Sequence, residues 1–327
     1  MDWHTQTVLV TGADGFIGSH LTERLTALGA HTRALVCYNA SNSWGWLDHS
    51  DAKDDIEVVA GDIRDIDHLR QIIQGVDIVF HLAALIAIPH SYHTPRSYVQ
   101  TNVEGTLNVL QAAREAKVSC FVHTSTSEVY GTAQYVPIDE DHPLQGQSPY
   151  AASKIGADKM AEAFHLSFGL PVATARPFNT FGPRQSARAI IPSIITQALT
   201  QPEIQLGNLA PRRDLNYVGD TVEGFIKIAE SPQAIGQVVN LGSGREICMG
   251  DLAKTILRLI GTEKRIVCDA QRIRPGHSEV DQLCANNQKA LTLLGWCPQY
   301  SLESGLLKTI TWMEKHLERY RPGTYAI

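Results

Sequence analysis

The sequence predicts an α/β fold built on a doubly wound parallel sheet, with a smaller, interleaved C-terminal domain. Three observations carry this. In the first half, short apolar runs alternate with amphipathic stretches of helical period, the pattern of parallel strands joined by helical crossovers. A glycine-rich turn, Thr11-Gly12-Ala13-Asp14-Gly15-Phe16-Ile17-Gly18, follows the first apolar run, Val8-Leu9-Val10. After Arg176 the alternation loosens into loops, short helices and a basic segment.

Taken in order, the predicted strands are Thr7–Thr11, Thr32–Cys37, Ile56–Ala60, Asp77–Leu82, Cys120–Ser125 and Val172–Arg176. Helical patterns lie between them at Phe16–Leu28, Asp67–Gln74, Tyr98–Ala116 and Pro149–Phe168. This is the Rossmann pattern, with right-handed crossovers and ligands at the carboxyl ends of the strands. Residues 178–214 hold a loop and the apolar run Ala189–Leu199. Residues 215–242 read as a return to the main sheet, through Leu215–Val218, a helix and Gln237–Leu241. In the last helix Leu302, Leu306, Ile310, Met313 and Leu317 recur at helical spacing, which signals packing. The expected division is therefore 1–177 with 215–242 for the dinucleotide-type domain, and 178–214 with 243–327 for the second domain.

The 327 residues suffice for a large core. Hydrophobic residues make up 43% and charged residues 19%, which fits an ordinary soluble globular protein. A net charge of −6 without a basic stripe argues against nucleic acid as a partner. No apolar run spans a bilayer, and Met1-Asp2-Trp3-His4 is no signal peptide, so no membrane partner is expected. The six cysteines lack Cys-x-x-Cys spacing, which predicts free thiols in a reducing cytoplasm and no metal site.

Chemistry enters with the turn. Gly12 permits a tight bend, Gly15 the close approach of a pyrophosphate, and Gly18 the packing of helix on sheet. The helix N-terminus adds free N–H donors and a favourable dipole. A plain surface turn is the alternative reading. Far downstream, Tyr150-Ala151-Ala152-Ser153-Lys154 sets a phenol and an ammonium one helical turn apart. The ammonium is expected to lower the phenol's pKa so that it takes a proton near neutrality. Ser125-Thr126-Ser127-Glu128-Val129-Tyr130-Gly131 lies just past a strand end, where ligands gather. Singly, Tyr150 reads as a core tyrosine, Lys154 as a solvated helix residue and Glu128 as an ion-pair partner. As an ordered set they describe hydride transfer with a nicotinamide dinucleotide.

These motifs resemble the extended short-chain dehydrogenase/reductase superfamily, in its nucleotide-sugar branch. Gly61-Asp62-Ile63-Arg64-Asp65, His81-Leu82-Ala83-Ala84, Asn102 before Gly105-Thr106, Arg176–Pro183 and Arg274-Pro275-Gly276-His277 also match. Three further segments resemble the dehydratases of bacterial legionaminic acid biosynthesis: Asn42–Asp48, Ile86–His93 and Pro143–Pro149. Such enzymes remove water from a nucleotide-diphospho-N-acetylglucosamine and leave a 4-keto-6-deoxy sugar.

The resemblance implies roles. Tyr150, with Lys154 and Thr126, oxidises the sugar at C4; Glu128 removes the C5 proton; Ser127 or Glu128 protonates the leaving oxygen. For the cofactor it implies Gly12, Gly15, Phe16, Ile17, Gly18, Asp62, Ile63, Leu82, Ala83, Ala84, Thr101, Tyr150, Lys154 and Pro177. Ser91, Asn179, Arg188, Arg213 and Arg274 are implied for the substrate, with surface ion pairing as the alternative for the arginines. His81 reads as a satisfied strand-end histidine. One departure stands out: Val36-Cys37-Tyr38-Asn39 has no ribose-binding carboxylate, and Asn39 is the expected substitute. Arg33 lies early in the strand for a 2′-phosphate ligand, and it is the residue that tighter NADP binding would point to. NAD is favoured, with NADP open. A uronic-acid decarboxylase, with Arg184 on the carboxylate, and a non-catalytic dinucleotide sensor are the rival functions. The resemblance further implies a homodimer through a four-helix bundle of helices 98–116 and 149–168.

Overall fold

Seven parallel strands form the central sheet of the protein, described here over residues 1–320 of a computed structural model. In chain order the first half comprises β1 (Thr7–Thr11), α1 (Phe16–Ala27), β2 (His31–Cys37), β3 (Ile56–Gly61), α2 (Ile66–Ile72), β4 (Ile78–His81), α3 (Ile88–His93), α4 (Pro95–Tyr98), α5 (Gly105–Ala116), β5 (Cys120–Thr124), α6 (Pro149–Phe168) and β6 (Val172–Pro177). The second half adds β7 (Asn179–Phe181), α7 (Ile190–Thr200), β8 (Ile204–Leu206), β9 (Arg212–Tyr217), α8 (Val218–Glu230), β10 (Val238–Leu241), β11 (Glu246–Cys248), α9 (Met249–Ile260), β12 (Ile266–Cys268), β13 (Gln282–Leu283), α10 (Gln288–Leu294) and α11 (Leu302–Lys315). Residues 321–327 of the expected second domain lie outside the described residues.

The sheet order is β10-β6-β5-β4-β1-β2-β3. The direction of winding reverses between β1 and β4, which opens a crevice above their carboxyl ends. Alternate side chains feed two cores, as period-two geometry requires. Val8 and Val10 join Leu21, Leu25, Phe225 and Ile226 on one face. Leu9 joins Leu35, Leu110, Phe121 and Phe164 on the other. Each predicted strand of the first half forms, shifted by at most a residue or two at its ends.

The segment 212–217 departs from expectation. It forms β9, the centre of a second sheet in which β11 pairs antiparallel and β7 and β13 parallel. A central strand of the parallel sheet must be apolar on both faces. β9 instead buries Arg213, Asp214 and Asn216. Asp214 accepts from the backbone N–H groups of Ser243, Gly244 and Ala285. The return to the main sheet thus begins at α8, and β10 completes it beside β6.

A third core lies under the second lobe, where Ile194, Ile195, Leu252, Ile256, Leu306, Ile310 and Met313 meet. The apolar stripe of α11 is packing, as its period predicts. The lobes are clasped at two points. In the Asn42–Asp48 segment, Trp46 N–H donates to Asp14 O at 3.2 Å, and its ring stacks edge-on against Trp312 at 5.4 Å. Arg184 reaches back to Glu23 with two bonds, at 2.9 and 3.0 Å, and to Ser19 Oγ at 3.1 Å. Among the described residues no helix is long and apolar enough to cross a membrane.

Candidate active site

The glycine-rich turn has the form that its spacing predicts. Gly12 takes φ +71° and lies so close to Ala83 that a Cβ would meet its N at 2.8 Å. A Cβ on Gly18 would run into Gly12 O. Gly15 is the N-cap of α1, and no side chain caps that end. Phe16 and Ile17 open the helix, so their N–H groups are available to an anion. Below the turn, Thr11 Oγ1 accepts from Leu82 and Ala83 N–H, both at 3.1 Å. Its own proton therefore goes to His81 Nδ1 at 2.8 Å. His81 Nε2–H then donates to Thr106 Oγ1, whose proton goes to Asn102 O. His81 is a buried, neutral structural linker, and burial holds its pKa well below the usual value.

At the end of β2 the side chain of Asn39 is taken up within its own loop. Its amide donates to Cys37 O and Ser43 O, and its oxygen accepts from Ser41 Oγ and Ser43 N. The carboxylate at this place comes from the turn itself: Asp14 Oδ2 accepts from Cys37 N–H at 3.4 Å. Burial raises the Asp14 pKa. Sequence reasoning missed it because it searched the strand end alone. Asp62 lies close by and is gripped by Arg64 through Nε and Nη2. Ile63 packs against Gly105. Arg33 faces away, on Glu57 and the Ile72 carbonyl.

The catalytic candidates converge past β5. Thr126 caps a short 3-10 turn, Ser127–Tyr130, by accepting from Glu128 N–H at 3.3 Å. Ser127 and Glu128 are buried there, as are Tyr150 and Lys154 on the facing α6. Ser148 caps α6 through Ala151 N–H, which fixes the position of Tyr150 one residue into the helix. Burial pushes the Tyr150 phenol up; a hydrogen bond with Thr126 draws it down; the Glu128 charge pushes it up again.

The expected action of Lys154 on Tyr150 is not what the geometry shows. Lys154 Nζ donates to Thr124 O at 2.6 Å, on the strand side. Burial brings its pKa down to about 8, and Asp158 opposes the fall. Asp158, one turn further along α6, was not singled out in the sequence. It accepts from His123 Nε2 at 3.0 Å, Ser125 Oγ at 2.5 Å and Arg176 Nη2 at 2.8 Å. The signal was present in the helical spacing of Tyr150, Lys154 and Asp158, all on one face. A π turn, Val99–Glu104, interrupts the predicted helix and presents Asn102. Asn102 Nδ2 donates to Ser153 Oγ at 2.9 Å and ties α6 to the loop after β4.

The substrate candidates divide. Arg213 and Arg274 share a single oxygen, Glu279 Oε1, at 3.3 and 3.4 Å. Two guanidinium groups on one carboxylate leave net positive charge, and these long bonds leave donors for phosphate. The Glu128 charge also acts on Arg213, so the two sites adjoin. Asn179 opens β7 with its Oδ1 buried and unpartnered. Arg188 is exposed, and its charge acts on Tyr98, whose ring stands edge-on to Tyr150 at 6.3 Å. Ser91 is fully buried and donates to Ile88 O at 2.6 Å, so it faces its own helix. Its neighbour Tyr92 instead binds across the mouth to Ser278 Oγ at 2.7 Å. Thr101, Ala84 and Pro177 sit in the π turn, the loop after β4 and the end of β6.

Comparison with known proteins follows the same lines. The family model described as GDP-mannose 4,6 dehydratase matches residues 9–309. A dTDP-glucose 4,6-dehydratase of Streptomyces griseus is 33% identical over 97% of each chain. Among solved structures, DesIV of Streptomyces venezuelae, a dTDP-glucose 4,6-dehydratase with NAD bound, superposes with a TM-score of 0.88 at 32% identity, covering 97% of this chain and 99% of that one. An epimerase of Methanothermobacter thermautotrophicus superposes with a TM-score of 0.90 at 32% identity, over 98% and 96%. A match over most of the chain, joined to relatives above 30% identity at nearly full length, is decisive: the chain belongs to the GDP-mannose 4,6-dehydratase family.

Proposed function

We propose that this nucleotide-sugar 4,6-dehydratase acts on a nucleotide-diphospho-N-acetylglucosamine, GDP- or UDP-linked, with NAD as its cofactor. The observation that carries the reaction is the grouping of Thr126, Glu128 and Tyr150 above β5, a phenol and a carboxylate in one buried place. An epimerase needs the phenol but no such second base.

The uncapped, glycine-lined start of α1 fits a pyrophosphate, and Asp14 and Asp62 fit the adenosine end. Bound NAD would accept the C4 hydride and give it back at C6. Tyr150 takes the proton of the sugar 4-hydroxyl, while Thr126 holds that hydroxyl. The resulting ketone acidifies C5, and Glu128 removes the C5 proton. The C6 hydroxyl leaves as water when the Glu128 carboxyl returns a proton to it. Ser127 is 2% exposed, and a serine hydroxyl is a poor acid, so it serves as a hydrogen-bond donor to that oxygen. Arg213, Arg274 and Asn179 hold the diphosphate. As hydride returns to C6, C5 takes a proton that solvent supplies by way of Glu128, and Tyr150 gives back the proton it took, so the balance is loss of one water with no net change in the cofactor.

The legionaminic-type substrate rests on the Asn42–Asp48, Ile86–His93 and Pro143–Pro149 segments. The last two meet at Ser278, which donates to Gln147 O and accepts from Tyr92. Arg184, the residue a decarboxylase would need, is committed to Glu23. A homodimer through α5 and α6 fits the exposed Leu107, Leu166 and Phe168 on those helices.

The test is incubation with GDP- and UDP-N-acetylglucosamine in D₂O, followed by product mass and NMR. Loss of one water with deuterium at C5 is expected from one of them. Dehydration of glucose nucleotides alone would remove the acetamido substrate and leave the dehydratase. Loss of carbon dioxide from a uronic acid would replace the reading.

A further inference from the structure

Across the mouth of the site, opposite walls are joined by a chain of hydrogen bonds that the mechanism above does not use. Ser278 lies shortly beyond Arg274 and beside Glu279, whose carboxylate gathers both substrate arginines. Ser278 Oγ donates to Gln147 O at 2.7 Å. Its one proton is thereby spent, so at its other contact, also 2.7 Å, Tyr92 OH is the donor. Gln147 Nε2 returns a bond to His277 O at 3.2 Å. The turn itself is closed by Pro275 O, which accepts from Ser278 N and Glu279 N.

Both partners of Ser278 belong to the wall that carries the phenol. Gln147 directly precedes Ser148, the N-cap of α6, and Tyr150 stands in the first turn of that helix. Tyr92, on α3, packs on the cluster that Ile88, Tyr98 and Tyr150 form. The arginines lie on the other wall: Arg213 is on β9, and Arg274 is tied to it through Glu279 Oε1. Pro275, Gly276 and His277 are exposed, so no buried side chain of theirs holds the walls together. The hydrogen bonds at Ser278 and Gln147 do so instead.

We propose that Tyr92 and Ser278 are positioning residues for the oxidation step: their hydrogen bond fixes the arginine-bearing wall against the Tyr150 wall, and so sets where the sugar C4 hydroxyl lies once the diphosphate is held. The inference rests on the dehydratase reading for what is positioned. The bonds of a diphosphate linkage rotate, so contacts to the phosphates alone do not fix the ring at the other end of the substrate. A displacement of about 1 Å at a reacting centre costs up to roughly 10²-fold in rate. Tyr92 commits its proton to Ser278, and it therefore acts through Ser278 and not on the sugar. Plain packing is the competing account, and it predicts that loss of the Tyr92 hydroxyl, with the ring kept, leaves turnover alone.

The experiment compares wild type with Tyr92→Phe, Ser278→Ala and the double variant, all loaded with NAD. Dehydration is followed on UDP-N-acetylglucosamine, GDP-N-acetylglucosamine or dTDP-glucose, whichever wild type converts. Calorimetry reads the affinity for the matching nucleoside diphosphate. In Tyr92→Phe kcat should fall about 3–10-fold, as loss of one hydrogen bond gives. In Ser278→Ala, which loses both bonds, it should fall roughly 10–100-fold. The double variant should equal Ser278→Ala, because Tyr92 then has nothing left to hold. Affinity for the nucleoside diphosphate should stay at the wild-type value, since Glu279 still joins the two arginines. Unchanged kcat in both single variants, a parallel loss of diphosphate affinity, or a further loss in the double variant would each overturn the proposal. If wild type releases no water from any of these sugars, the dehydratase reading fails, and the tie is read by itself. With NAD and UDP or GDP bound, amide hydrogen exchange across 276–279 should speed up in Tyr92→Phe, and unchanged exchange overturns the proposal.

Discussion

Beneath Tyr150 the charges are closed among themselves, whereas at the mouth two arginines share one carboxylate oxygen. The floor group of Asp158, Arg176, His123 and Ser125 needs nothing from a ligand. Arg213 and Arg274, with the unpartnered Asn179 Oδ1, have capacity left over. The difference separates two tasks. Catalytic groups must be fixed before the substrate arrives, since preorganisation costs nothing at the moment of reaction. Binding groups must hold charge in reserve for the diphosphate.

The largest expected effect tests the floor. Tyr150→Phe removes the proton acceptor and leaves the buried ring. Turnover should fall about 10²–10⁴-fold, with NAD affinity and thermal stability near those of wild type. Near-normal turnover of the folded variant would sink the assignment of Tyr150 as base, and the contrast between floor and rim with it.

At the rim, Arg213→Ala and Arg274→Ala should act on binding. Arg213 is 7% exposed and Arg274 more open, so their losses differ. A charge-assisted hydrogen bond is worth about 1.5–3 kcal/mol, which puts KM up roughly 10–100-fold for Arg213→Ala. Arg274→Ala should cost less, because solvent already screens that charge. Steady-state kinetics separates the cases: a fall in kcat with KM unchanged would place these arginines in the chemistry instead.

How far these regions were legible in the sequence follows from the same contrast. The central sheet was plain, because fully buried parallel strands must be near-continuous apolar runs with fixed punctuation. Thr126, Glu128, Tyr150 and Lys154 were legible through helical spacing and a strand end. Asp158 was hidden by its ordinariness, since an aspartate on a helix usually faces water. β9 was misplaced because its polar residues are buried by partners distant in sequence, Ser243 and Ala285 among them. The local hydrogen bonds of Asn39 were not legible, because local capping cannot be told from ligand binding by residue type. The lobe clasps, Trp46 on Trp312 and Arg184 on Glu23, join residues far apart in the chain, and no local pattern announces them.

The second clasp yields a pH-dependent stability. His20, beside Arg184, has its pKa lowered to about 4, by burial first and the Arg184 charge second. In the unfolded chain it titrates near its ordinary value of 6.5. Between these values the unfolded state binds the proton and the folded state does not. Stability contributed by the neutral imidazole is therefore full above about pH 6.5 and is lost as pH falls toward 4. Allowing for its partial exposure, the loss is about 1–2 kcal/mol. Calorimetric melting at pH 7 and pH 5 of wild type and His20→Gln tests this. The variant should show a shallower fall, and parallel curves would refute the role of His20.

The smallest effect concerns the rim of the cofactor site. A 2′-phosphate at the end of β2 would meet the Asp14 carboxylate and, among the described residues, no free cation. Arg33 is held by Glu57, and Arg64 by Asp62 through more than one bond. The Arg64–Asp62 pair is half-exposed, and such pairs are worth about 1 kcal/mol or less, so it can open toward a phosphate. Asp14 is the residue that decides. NAD should bind more tightly than NADP, and Asp14→Asn should narrow the preference about tenfold, mainly by admitting NADP. The change keeps the acceptor for Cys37 N–H, so the turn should stay in place. Calorimetric titration of stripped protein with both cofactors reads the ratio directly. A preference untouched by Asp14→Asn would move the discrimination to Arg64 and Asp62, where Arg64→Ala should then weaken NADP alone.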